Sequence, residues 1–185
     1  MAKVTGTQVI TNPVRLSYAH VFEPYSWDGG DPKYSTALLI RKDDSDTLEC
    51  FDAAIKAAYE NGKSDKLKGV KFENVKVTLR DGDEEYDTDE YPEYKGMMFI
   101  NVSSRNAPGI VDQYREPITN TSEVYSCCWC RADINFFAYN TAGNKGISAG
   151  LNNLQKIRND VPLGGKSNAH DAFDDWDEDD EDFLG

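Results

Sequence analysis

The stretch SEVYSCCWCRADINFFAYN, residues 122–140, holds the residue types best suited to chemistry. Side chains on a strand alternate between two faces, and here the faces differ. One carries Val124, Ser126, Cys128, Cys130, Ala132, Ile134, Phe136 and Ala138, small and apolar as the tapering interior of a small barrel requires. The other carries Tyr125, Cys127, Trp129, Arg131, Asp133, Asn135, Phe137 and Tyr139. Rings interleaved with a cation and amides suit base stacking and phosphate contact, and stacking contributes about 1 to 3 kcal/mol per base whatever the base. Large aromatics are often buried, so Trp129 and Phe137 also fit a core role, and a bulge would exchange the two faces beyond it.

Further rings and cations lie outside this stretch. The segment EPYSWDGGDPK, residues 23–33, is broken by Pro24, Gly29, Gly30 and Pro32 into a loop that presents Tyr25 and Trp27. Basic residues fall near the expected strands at Arg15, Lys33, Arg41, Lys42, Arg80, Arg105, Arg131, Lys145, Lys156 and Arg158, and only folding could gather them. Strand alternation places Lys156 and Arg158 on one face with Leu154, spaced to follow two or three phosphates.

Sharper motifs fail on inspection. DVPLGGKS, residues 160–167, ends like a phosphate loop, but Asp160 stands where the first glycine belongs. Asp81, Asp83 and Glu85 imitate the start of a calcium loop, yet Tyr86 takes the place of its turn glycine. Cys127 and Cys130 have C-x-x-C spacing without a second ligand pair, and the two histidines, His20 and His170, give no triad or metal set. No cofactor, metal or catalytic residue is expected. A nuclease would need carboxylates fixed around a metal, whereas the acids here concentrate in segments that read as flexible.

The elements that position these residues are mostly short and β-rich. Strands are expected at 14–22, 34–40, 75–79, 97–103, 123–139 and 146–158, the last two long enough to bend or bulge. In the first, Val14, Leu16, Tyr18, His20 and Phe22 form one apolar face. Asp46 with Glu49 reads as a capping box opening a helix, whose stripe of Leu48, Phe51, Ile55, Ala58 and Tyr59 ends at Asn61 and Gly62. Many strands with one principal helix give a mainly β fold, a small barrel closed by that helix.

With 185 residues there is material for one domain and a tail. The net charge of −13 argues at first against a polyanionic partner. Its distribution reverses that. Nine acids and no Lys or Arg fall in 167–185, and eight acids without a base in 81–93; without both, 20 bases face 16 acids. The sequence therefore divides into a body at 1–163, mildly basic once the 81–93 segment is set aside, and an acidic tail at 164–185, too rich in like charge to build a core and expected to be disordered. Phe173, Trp176 and Phe183 lie in that tail and suit it to docking a protein partner. The N-terminus lacks a secretion signal and no apolar run is long enough to span a membrane, which points to the cytoplasm, no membrane partner and four reduced cysteines.

Five segments together resemble a known family: VRLSYAHVFEP (14–24), YSTALLI (34–40), LRDGDEE (79–85) and above all EVYSCCWCRADINFFAYNTAGNKGISAGLNNLQKIRNDVPLGG (123–165), with the acidic tail ending in FLG. The body is similar to phage-encoded single-stranded-DNA-binding proteins of the OB-fold type, related in design to the podophage helix-destabilising protein. The resemblance implies a five-stranded OB barrel with a positively charged aromatic groove, working in phage or prophage DNA replication and recombination in the bacterial host cytoplasm. It also implies that the tail recruits replication or recombination proteins. The resemblance carries over no contact residues; strand alternation and the placing of rings and cations give expected DNA contacts at Arg15, Tyr25, Trp27, Lys33, Arg105, Tyr125, Trp129, Arg131, Tyr139, Lys145, Lys156 and Arg158. A tail competing with DNA for the groove, and a homodimer, belong to the same expectation. The alternative is an acidic interaction protein, a nucleic-acid mimic that inhibits a DNA-processing enzyme.

Overall fold

Among the described residues, five of the ten strands close a barrel. In the computed structural model, which describes residues 1–161, β3 (Val14–Tyr25) pairs antiparallel with β4 (Lys33–Arg41), and β4 with β7 (Met97–Ser104). β7 lies parallel to β10 (Asn144–Arg158), which pairs antiparallel with β9 (Trp129–Thr141), and β9 returns to β3. This circuit is the expected five-stranded OB barrel. The hairpin of β1 (Lys3–Thr5) and β2 (Gln8–Ile10) extends β9, while β5 (Lys76–Val77) and β8 (Gly109–Val111) add to β10 and β6 (Arg80–Asp81) to β7. The acidic tail with Phe173, Trp176 and Phe183 lies outside the described residues.

The barrel is filled by the alternate residues that the pattern requires. Leu38, Ile40, Ile100, Val102, Ile147 and Leu151 meet the small face of β9, where Cys130, Ala132, Ile134 and Phe136 are buried, with Cys128 buried just before the strand. All four cysteines are free thiols. α1 (Ser45–Gly62) closes one side with Phe51, Ala54, Ile55 and Ala58, the Phe51 ring edge-on to Phe136 at 5.2 Å. Its cap is Asp44, which accepts a hydrogen bond from the Thr47 backbone N–H, so the expected capping box is absent. Asp46 instead accepts from Ala2 N and Asn12 Nδ2, and those bonds hold its carboxyl below the usual range. Gly62 ends the helix where a Cβ would come within 2.4 Å of the Ala138 Cβ.

Four expectations are corrected by local geometry. The 75–79 strand shrinks to β5, and the strand expected from 123 begins at Trp129, because Thr121–Glu123 forms a 3-10 turn and Cys127 has φ +100°. In β3, Tyr18 has φ +48° and the register shifts between Ser17 and His20. That irregularity re-phases the strand: Val14, Leu16 and Val21 are buried, while Tyr18 points to solvent. The acidic segment is not a flexible loop either. α2 (Gly82–Glu85) and the 3-10 turn Pro92–Tyr94 fold over the outside of β4 and β7, where Tyr94 is fully buried with Ala37, Leu39 and Phe99. Tyr94 stacks on Tyr86 at 3.9 Å. Tyrosines spaced among the acids supply the apolar anchor that composition alone hides.

Lys42 Nζ lies 2.7 Å from Asp81 and 2.6 Å from Asp83, and its ammonium keeps both carboxyls below their ordinary range. The chain's own cation thus sits where the calcium-loop imitation would have placed a metal. Among the described residues no helix is long and apolar enough to cross a membrane.

Candidate nucleic-acid interface

The tyrosine-anchored segment covers only the lower half of the outer β4–β7 face. Above it remains a cleft of about 700 Å³, floored by Ser35, Ala37, Asn101 and Ser103, walled by Tyr86 and by the β3–β4 loop. Four aromatic rings line or support the loop side. His20 stacks on Tyr25 with centroids 4.5 Å apart and planes 12° apart, and Trp27 meets Tyr25, His20 and Tyr18 edge-on at 4.9, 5.5 and 5.6 Å. Trp27 is 61% exposed, and Tyr18 and Tyr25 are also open. The loop holds this shape through Asp28, which accepts from Gly30 N at 2.9 Å, with Gly29 at φ +77°. Rings that already pack against one another lose little freedom when a base stacks on them.

The structure brings Tyr25, Trp27, Lys33 and Arg105 together in this cleft. It also adds Tyr18, His20 and Tyr86, which sequence reasoning did not select. Tyr18 and His20 read as core because strict alternation hid the irregularity in β3, and Tyr86 entered only as the residue that breaks the calcium-loop pattern. The expected excess of positive charge is missing from the lining: Lys33 and Arg105 are matched there by Asp28 and Asp31. A nearly neutral cleft beside the acidic segment gives an acidic tail little electrostatic reason to enter it.

The other eight expected contacts lie outside this cleft. Trp129 is only 8% exposed: its Nε1 donates to Asp160 Oδ2 at 2.8 Å and the Arg158 guanidinium lies 4.7 Å from its ring centroid. The expectation of an open stacking ring there is corrected, because the end of β10 folds over it. Arg15 reaches the same carboxylate at 3.6 Å. Tyr125 donates its hydroxyl to the Asp160 carbonyl, and Lys156 sits 5.9 Å from the Tyr125 ring. A register shift between Lys156 and Arg158 breaks the expected common face with buried Leu154. Arg131 is engaged with the N-terminal segment, donating to the carbonyls of Thr11 and Met1 at 3.0 and 3.2 Å. Tyr139 and Lys145 lie near the β9–β10 turn, outside the cleft, and Phe137 is 44% exposed.

Asp160 therefore fastens the end of the barrel. Its carboxyl is held below the usual range, chiefly by the Trp129 bond. A lowered folded-state value means this stabilisation is present above the unfolded pKa near 4 and is lost as pH falls through the folded value. Trp129→Phe removes the bond and should lower unfolding free energy by about 1 kcal/mol after allowance for the exposed carboxylate. Urea unfolding should show that loss at pH 7 and a smaller one near pH 3.

A sequence model of the family described as the single-stranded-DNA-binding protein of Enterobacter phage Enc34 matches residues 7–184. The chain belongs to that family. This Enc34-family protein is 33% identical over 172 residues to putative protein p50 of Acyrthosiphon pisum secondary endosymbiont phage 1, covering 89% of the present chain and 91% of that one. Its fold is similar to the solved single-stranded DNA-binding protein of bacteriophage Enc34 in complex with ssDNA, with TM-score 0.75, 29% identity, and 85% and 90% of the two chains covered. It also resembles gp2.5, a single-stranded DNA-binding protein encoded by bacteriophage T7, with TM-score 0.54, 13% identity and 90% and 92% coverage; that likeness is one of fold alone.

Proposed function

We propose that this protein binds single-stranded DNA without reading its sequence, in the cleft between the β3–β4 loop and Tyr86. The observation that carries the reading is a preassembled set of open rings on the β4–β7 face of an OB barrel, the face such barrels use for oligonucleotides. Membership in a family with a member solved in complex with ssDNA supports it. Trp27, Tyr25 and Tyr18 offer stacking surfaces, Lys33 and Arg105 meet phosphates, and Ser35, Asn101 and Ser103 hydrogen-bond exposed base edges or the backbone. Arg15, Tyr125, Trp129, Arg131, Lys156 and Arg158 act mainly by holding the barrel in shape. Residues 1–163 form the binding domain and 164–185 an acidic tail that recruits replication or recombination proteins in the host cytoplasm. The protein is a non-enzymatic coating factor.

Intrinsic tryptophan fluorescence titrated with short oligonucleotides, with and without magnesium, tests this reading. Quenching without cleavage is expected; cleavage, or no response in dilute buffer, would overturn it. With two cleft cations, log affinity should fall against log salt with a slope of only about −1.4, since each phosphate neutralised on a single strand contributes about −0.7. A slope several times steeper would mean that a broad basic surface, not the ring-lined cleft, holds the strand.

A further inference from the structure

The segment after α1 plays no part in the cleft. Over 63–76 it carries Lys63, Lys66, Lys68, Lys71 and Lys76 against Asp65 and Glu73, all exposed. Among the described residues these lysines make one ion pair, Lys63 with Glu60. Beside them a shallow groove of about 290 Å³ runs between the end of α1 and β9, lined by Ala58, Gly62, Ala138, half-exposed Phe137 and Lys66. Phe72 adds an exposed ring, edge-on to Tyr59 at 5.2 Å. A ligand matching this surface needs several negative charges and apolar rings within a short span.

The chain carries such a segment itself: residues 171–183 hold nine acids, no base, and Phe173, Trp176 and Phe183. Its point of attachment lies within reach. The chain leaves the barrel at Asp160, which is bonded to Trp129 at the start of β9. The lysine segment meets the sheet farther along, where a Cβ on Gly62 would touch Ala138 and Lys76 pairs with Gly146. The strand steps from Trp129 to Ala138 amount to about 30 Å. The chain from Val161 reaches at most about 45 Å at Asp174 and about 75 Å at Asp182. The acids from Asp174 onward therefore meet the lysine segment with slack to spare, and Trp176 falls among them. A tether that spans its gap with slack holds its ligand at an effective concentration on the order of 1 mM. A neighbouring copy at about 1 μM offers the same tail roughly 1,000-fold more dilute.

We propose that the lysine segment 63–76 and the Phe137 groove dock the acidic, aromatic tail of their own chain. The acids of 174–182 face the lysines, and Trp176 enters the groove. The docked tail covers a basic surface that would otherwise draw phosphates away from the cleft. It leaves the cleft itself open, so the contact does not depend on what the cleft binds.

Mixed-isotope cross-linking of the full-length protein tests it without DNA. Equal amounts of ordinary and 15N-labelled chain are treated with a carbodiimide, which couples lysine to carboxylate, at about 1 μM protein and about 10 mM salt, where the screening length is about 30 Å. Peptide pairs joining 63–76 to 174–182 are expected to carry a single isotope, in a yield that dilution by about tenfold leaves unchanged. Heavy–light pairs as abundant as same-isotope pairs would place the tail on a second copy. Coupling chiefly to Lys33 would place it in the cleft, and absence of coupling would leave it undocked; each of these three results overturns the proposal. A second readout uses 5-fluorotryptophan at Trp176, its 19F resonance assigned by loss in Trp176→Phe. That resonance should shift in a chain carrying K66Q, K68Q, K71Q and K76Q. In the parent it should move to the same position at about 0.5 M salt, where screening falls to about 4 Å. A resonance unmoved by both changes would contradict docking. The coupling map and the salt response of the parent stand even if the variant misfolds.

Discussion

Trp27→Ala should weaken binding of a short oligonucleotide by roughly 5- to 150-fold, the equivalent of about 1 to 3 kcal/mol for one lost stacking partner. The ring is 61% exposed, so its removal creates no cavity in the core and the thermal midpoint should barely move. Tyr25→Ala should act in the same direction and fall short of additivity with Trp27→Ala, because the two rings meet at 4.9 Å and each helps orient the other. Fluorescence anisotropy with a labelled oligonucleotide gives the affinity, and circular dichroism gives the melting curve. Unchanged affinity in the double variant would remove the β3–β4 loop from the binding surface.

Tyr94→Ala should have the largest effect on stability, about 3 to 5 kcal/mol, in the range for deleting a buried ring from a packed site. Tyr94 is the central residue of the small core outside the barrel: it stacks on Tyr86, meets Phe99 edge-on at 5.3 Å, and donates its hydroxyl to Ser17 Oγ at 3.4 Å. Burial pushes its own ionisation well above the usual tyrosine range. Without it the acidic segment loses its seat, Tyr86 leaves the cleft wall, and oligonucleotide affinity should fall together with stability. Tyr94→Phe keeps the ring and loses only the long hydroxyl bond, so a loss of about 1 kcal/mol is expected in urea unfolding. Near-equal behaviour of the two variants would contradict the anchoring role.

Much of this arrangement was legible in the sequence, for definable reasons. The alternation of β9 gave the interior face because small and apolar residues recur there at period two without a break. The breakers in 23–33 marked a loop carrying Tyr25 and Trp27, and these rings do line the cleft. What was hidden depends on contacts distant in sequence. Burial of Trp129 requires Asp160 and Arg158 from the end of β10 to fold across it, which no local pattern reports. The positive φ of Tyr18 interrupts an apparently regular strand and turns that ring outward. The acidic segment read as a charge run because its eight acids outnumber the tyrosines that anchor it.

Charge shows the same limit. Counting bases and acids along the chain correctly isolated a basic remainder, but that remainder does not gather in the cleft. Its densest exposed run is the lysine segment after the helix, on which the sequence reading placed no role. A cleft with rings and little net charge binds chiefly by stacking, which is why sequence-independent binding and a shallow salt slope are expected together.

The most direct measurement uses a protein whose only tryptophan is Trp27, made by Trp129→Phe and Trp176→Phe, irradiated with an oligothymidylate and mapped by mass spectrometry. Photo-adducts on Trp27, Tyr25 and Tyr18, with matching quenching of Trp27 emission on titration, are the predicted result. Adducts confined to residues outside the cleft, with Trp27 emission unchanged at saturating oligonucleotide, would contradict the assignment of this cleft as the strand-binding site.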